Sequence, residues 1–91
     1  MRRNDGFILR KAADLTVIVP VGREAVRFPG MLSVNETGRF LWELLKEEQT
    51  QQTLARALTD AFQVEGRQAE QDVHDFLEKL RAAGAVLEGA P

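Results

Sequence analysis

Residues 33–45 read Ser33-Val34-Asn35-Glu36-Thr37-Gly38-Arg39-Phe40-Leu41-Trp42-Glu43-Leu44-Leu45, and within this stretch the hydrophobic pattern changes its period. Val34, Gly38, Leu41, Trp42 and Leu45 follow at steps of four, three, one and three, which places them on one face of a helix. Ser33 and Glu36 stand at capping-box spacing, where each side chain accepts a bond from the other residue's backbone N–H. Asn35 is a rival cap, because its short side-chain carbonyl can accept a bond from the first turn. The stretch predicts a first helix over about 36–47.

Upstream the period is two. Phe7-Ile8-Leu9-Arg10, Leu15-Thr16-Val17-Ile18-Val19 and Ala25-Val26-Arg27-Phe28 are short, carry β-branched or aromatic residues and are separated by turn-like segments, so they read as three strands of a meander. Pro20-Val21-Gly22-Arg23-Glu24 supplies a Pro and a Gly for the loop between the second and third. Pro29-Gly30 ends the third, and Pro29 shortens the edge that strand can offer.

Downstream the helical period continues. Thr50 can cap a second helix whose Leu54, Leu58, Ala61 and Phe62 share a face and which ends near Gln63. A third, over about Arg67–Ala83, carries Ala69, Val73, Phe76, Leu77 and Leu80 on one stripe and stops at Gly84, a residue suited to a left-handed cap. Ala85-Val86-Leu87 adds a short extended segment. The predicted fold is α+β, with an N-terminal three-stranded antiparallel sheet and three helices in a winged helix-turn-helix-like arrangement, forming one domain over 1–91. Trp42, Phe62 and Phe76 are its expected core anchors.

Composition sets limits on function. The chain has 91 residues, 44% hydrophobic and 29% charged, as in an ordinary globular domain. It has no cysteine, which removes disulfides, thiol nucleophiles and thiolate metal sites. The basic Met1-Arg2-Arg3 is followed by Asn4-Asp5-Gly6 where an export signal needs an apolar run, so a cytoplasmic location is expected. Charge is unevenly spread: residues 1–35 hold six Lys/Arg against three Asp/Glu, and the remainder six against eleven.

Candidate chemistry is sparse. His74 is the single histidine, so neither a hydrolytic triad nor a multi-histidine metal centre can be assembled from one chain, and it reads as an exposed helix residue. Asp72, Asp75 and Glu78 form an acidic row on the third helix and read as a solvated face. The seven glycines are dispersed and build no phosphate loop. No catalytic residue, metal or cofactor is implied, and the expected class is a non-catalytic binding module. The helix order also admits a winged-helix DNA-binding domain. Charge opposes that alternative, since the third helix carries Arg67, Lys79 and Arg81 against Glu70, Asp72, Asp75 and Glu78.

Gly6-Phe7-Ile8-Leu9-Arg10, Thr16-Val17-Ile18-Val19-Pro20, Gly30-Met31-Leu32-Ser33-Val34-Asn35-Glu36-Thr37-Gly38-Arg39-Phe40-Leu41-Trp42, and Asp72-Val73-His74-Asp75-Phe76-Leu77-Glu78-Lys79-Leu80 followed by Gly84 together resemble the PqqD family. The resemblance implies a peptide chaperone, the recognition element of a natural-product pathway. Such a protein binds the leader of a ribosomally made precursor peptide and presents it to a modifying enzyme, often of the radical S-adenosylmethionine type. It leaves the peptide and the pathway open.

An exposed sheet edge carries unpaired backbone groups that an extended peptide can complete. In the resembled family the leader lies between the third strand and the third helix, which implies Ala25–Phe28 and the region of Asp72–Lys79 here. Arg27 and Lys79 are expected to meet leader carboxylates or carbonyls, and Asp72 and Asp75 a basic leader residue. Val26, Phe28, Val73 and Phe76 are expected to form the apolar floor, with Ala25 completing the strand. The same edge could pair with a second copy, giving a homodimer in competition with peptide.

Overall fold

The structure is a computed structural model that describes residues 1–28 and 30–88. Its elements run β1 (Arg2–Arg3), β2 (Phe7–Ala12), β3 (Leu15–Pro20), α1 (Arg23–Arg27), β4 (Leu32–Val34), α2 (Glu36–Leu44), α3 (Gln51–Phe62), α4 (Gly66–Ala83) and β5 (Val86–Leu87). The expected α+β class, with a three-stranded antiparallel sheet followed by three main helices, is what forms. β2, β3 and β4 lie side by side in that order, and β1 and β5 pair separately.

One expected strand is corrected. Ala25, Val26 and Arg27 belong to the helix α1 and Phe28 is its C-cap, while the third strand of the sheet is Leu32–Val34. Gly22, at φ 60° and ψ −130°, turns the chain out of β3. The next residues are Arg, Glu and Ala, better helix formers than strand formers. Glu24 in the first turn and Arg27 in the last suit the helix dipole, and they approach to 3.8 Å. The Phe28 N–H closes the turn on the Glu24 carbonyl at 2.8 Å. Two apolar residues in alternation were too short a pattern to outweigh these local preferences. The effect expected of Pro29 lies outside the described residues.

The sheet register decides which backbone groups stay available. β2 and β3 are joined by the two-residue turn Ala13-Asp14, in which Ala13 takes φ 58°. In such a hairpin the closing pair, here Ala12 and Leu15, exchanges both backbone bonds, and the bonded pairs then alternate. Leu15, Val17 and Val19 therefore bond to β2; the Val21 N–H donating to the Gly6 carbonyl at 2.8 Å continues the same alternation. Thr16 and Ile18 bond the other way, to Val34 and Leu32. Ser33, opposite Val17, falls between bonded pairs, so its own N–H and C=O point away from β3.

The helices cover one face of this sheet. Asn35, not Ser33, caps α2: its side-chain carbonyl accepts from the Gly38 N–H at 2.9 Å. Thr50 and Thr53 form a reciprocal capping box on α3. Gly84 takes the left-handed conformation, φ 78°, that ends α4. Ile18, Leu41, Trp42, Leu45, Leu54, Leu58, Val73, Leu77 and Leu80 are buried in one cluster drawn from sheet and helices. Trp42 is the buried anchor expected, at 1% exposure, with the Arg3 guanidinium 5.5 Å from its ring centroid. Phe62 and Phe76 are only half-buried, packed against the margin of the core.

Candidate functional site

Between β4 and α4 lies an open groove of about 550 Å³. Leu32, Ser33 and Val34 form one wall, Asp72, Asp75, Phe76, Lys79 and Leu80 the other, and Asn35, Thr37, Gly38 and Leu41 close one side from the start of α2. Leu15, which is 59% exposed, also lines it.

Helical geometry separates the two roles of α4. Ala69, Val73, Leu77 and Leu80 recur at steps of four, four and three and are fully buried. Asp72, Asp75, Phe76 and Lys79 follow at three, one and three on the neighbouring stripe, which faces β4. On β4 the alternation of a strand turns Leu32 and Val34 inward and leaves Ser33 exposed. The floor of the groove is thus apolar, supplied by Leu32, Val34, Leu41, Phe76 and Leu80, and its rim is polar.

Asp72 accepts from the Gln68 side-chain amide at 2.7 Å and Asp75 from that of Gln71 at 2.9 Å, both one turn back along α4. Among the described residues neither carboxylate is in an ion pair, and Lys79, one turn beyond Asp75, is in none either. Two carboxylates and one ammonium leave the α4 wall one negative charge in excess. Away from the groove, Arg81 is held in its charged form above its ordinary range, chiefly by the Glu88 carboxylate that accepts its hydrogen bond at 2.7 Å. That contact ties the end of α4 to the segment after β5.

Of the residues expected to bind, Asp72, Asp75, Phe76 and Lys79 come together in the groove. Val73 does not reach it, being wholly buried. Ala25, Val26 and Arg27 are exposed on α1, Val26 at 83%, and Phe28 packs against Phe7 with ring centroids 6.3 Å apart. None of these four lines the groove. The residues that take the strand's place are Leu32, Ser33 and Val34. Their inward, outward, inward alternation is visible in the sequence, but it is three residues long and overlaps the capping signals of the helix.

Chemically the groove offers an apolar floor, charges of both signs on its rim and, at Ser33, a backbone donor and acceptor that no strand of the sheet uses. These are the parts needed to hold an extended chain along β4.

The family model described as Coenzyme PQQ synthesis protein D (PqqD) matches residues 16–86. TbiB1 in complex with the TbiA(beta) leader peptide is structurally similar, with a TM-score of 0.73 at 20% identity over 100% of both chains. So is lasso peptide synthetase B1 complexed with the leader peptide, with a TM-score of 0.70 at 21% identity over 96% of each chain. No curated protein sequence matches the chain. At these identities the two structures speak to the fold, which the first shares over the whole chain and the second over 96% of it. The family match runs from the second strand of the main sheet through β4, the helices and the groove to β5, and the chain belongs to the PqqD family.

Proposed function

We propose that this protein is a non-catalytic recognition module that binds the leader of a ribosomally made precursor peptide as a strand added to β4, and presents it to a modifying enzyme. The observation that carries the reading is the outward-facing N–H and C=O of Ser33 at the groove between β4 and α4. The leader peptides in the complexes of the two similar structures support it.

An extended peptide lying antiparallel or parallel to β4 exchanges main-chain bonds with Ser33 and turns alternate side chains into the groove. Those side chains rest on Leu32, Val34, Phe76 and Leu80. Asp72 and Asp75 receive a basic peptide residue, and Lys79 a carboxylate or carbonyl. Arg27 and its neighbours on α1 lie outside this set, because they do not line the groove and a helical backbone presents no strand edge for a peptide to extend. The main-chain bonds give affinity independent of sequence, and the floor and rim add selectivity. A second copy pairing at β4 would compete for the same Ser33 groups.

The test is titration of the protein with the leader segment of a short precursor peptide encoded beside its gene. Binding with a Kd of about tens of micromolar or tighter is expected, equivalent to roughly 6 kcal/mol or more. Absence of binding in that range refutes the reading. A salt-dependent shift of duplex DNA by the protein alone would move the assignment to the winged-helix alternative.

A further inference from the structure

Gly38 lies in the first turn of α2, where its N–H is held by the Asn35 cap, and it is buried. A Cβ added there would come within 3.2 Å of both the Phe76 ring edge and the Val34 Cβ, and 3.3 Å of the Asn35 side-chain oxygen. Such separations are tighter than ordinary van der Waals contact, so a neighbour must yield. Alanine is the better helix former, so helix propensity does not explain a glycine at this place. What the missing Cβ provides is room: the Phe76 ring settles back against the start of α2.

Phe76 is half-buried, and together with Val34 and Gly38 it lines the groove. Of the three neighbours, Val34 is fixed in the β3–β4 ladder and Asn35 is committed to its cap bond. Phe76 meets the added atom with the outer edge of its ring, which a side-chain rotation can move, whereas Val34 meets it with its Cβ, so Phe76 is the one displaced when Gly38 acquires a side chain. The groove that Phe76 lines gives the ring room to move into.

We infer that Gly38 is a positioning residue which, by letting Phe76 recede, sets the size of the apolar side chain that the groove accepts. The inference rests on reading the groove as a peptide site. It makes the occupant of the pit between Val34 and Phe76 a large apolar residue, of leucine, isoleucine, methionine or phenylalanine size, standing at one fixed position of the bound strand.

A yeast-displayed library of random dodecapeptides, selected separately on the wild-type protein and on Gly38→Ala and Phe76→Leu variants, tests this. The wild type should enrich a large apolar residue at one position. Gly38→Ala should shift that position towards alanine and valine, lowering the large-to-small ratio by about tenfold or more, the scale on which apolar pockets discriminate by a methylene or two. Phe76→Leu enlarges the pit and should shift the preference the other way, towards phenylalanine and tryptophan. It gives an answer even if Gly38→Ala fails to fold. An unchanged size preference in the folded variants overturns the inference while leaving the peptide site standing. A wild type that enriches no peptide overturns the peptide site and this inference with it.

Discussion

Replacing Ser33 with proline isolates the backbone bond on which peptide binding depends. The Ser33 N–H points away from β3, so the ladder formed by Thr16 with Val34 and Ile18 with Leu32 keeps its bonds. The side chain is exposed, and an edge position whose N–H faces outward is where a strand tolerates proline. Stability should therefore change by about 1 kcal/mol or less in either direction, the usual range for a compatible proline. Binding should suffer more, because a carbonyl of the added peptide strand loses its donor inside the groove. An unsatisfied partner costs about 1–3 kcal/mol, which is about 5- to 150-fold in Kd. Ser33→Ala keeps the N–H and should stay within about twofold of wild type. Fluorescence anisotropy of a labelled leader peptide, read beside urea unfolding of each variant, separates the two effects. A folded Ser33→Pro variant that binds as tightly as the wild type refutes the strand-addition geometry.

Three further substitutions test the supports around the site. Asn35→Ala removes the acceptor for the Gly38 N–H and the Thr37 hydroxyl, each at 2.9 Å, and should lower stability by about 1 kcal/mol in urea unfolding. Ala13→Gly relieves a non-glycine residue at φ 58° in the β2–β3 turn and should raise the urea midpoint by the equivalent of about 0.5–1 kcal/mol, without altering peptide affinity. Asp75→Lys reverses a charge on the exposed rim and should weaken a leader bearing a basic residue by about two- to fivefold at low salt, with the difference shrinking as salt is added. Unchanged affinity at low salt assigns Asp75 to the solvated face and not to recognition.

The parts of the fold that could be read from the sequence are those with long, redundant patterns. The β2 and β3 segments and the α3 and α4 stripes gave the element types, and Leu54, Leu58, Ala69, Val73, Leu77 and Leu80 gave the buried side, whereas Ala61, expected on the α3 stripe, is exposed. Trp42 as an anchor followed from its place on the α2 stripe. The failures sit where signals are short or compete. Ala25–Phe28 had a strand-like alternation of two apolar residues, and Gly22 with the local Arg-Glu-Ala composition overrode it. Leu32–Val34 is three residues long and carries Ser33, whose cap spacing with Glu36 drew it into the helix reading. β1 is two arginines, Arg2 and Arg3, held by pairing with Leu87 and Val86, and nothing local marks it as a strand.

The candidate site shows the same division. Asp72, Asp75, Phe76 and Lys79, which the family resemblance pointed to, do line the groove, because the stripe of a long helix beside its buried face stays in register over many residues. Val73 was assigned to the floor but lies a stripe away, wholly in the core. The contribution of Gly38 could not be read from sequence, because it depends on the distance of its missing Cβ from a ring on another helix. Nor could the availability of the Ser33 amide, which follows from a register counted from the Ala13-Asp14 turn.

That amide also offers the most direct test of peptide addition at β4. In the free protein the Ser33 N–H faces outward and should exchange with solvent rapidly, while those of Leu32 and Val34, bonded to β3, exchange slowly. Site-resolved hydrogen exchange with saturating leader peptide should slow Ser33 by about tenfold or more, bringing it towards its two neighbours. A peptide that binds yet leaves Ser33 exchanging at its free rate, with protection appearing on another surface, contradicts the account.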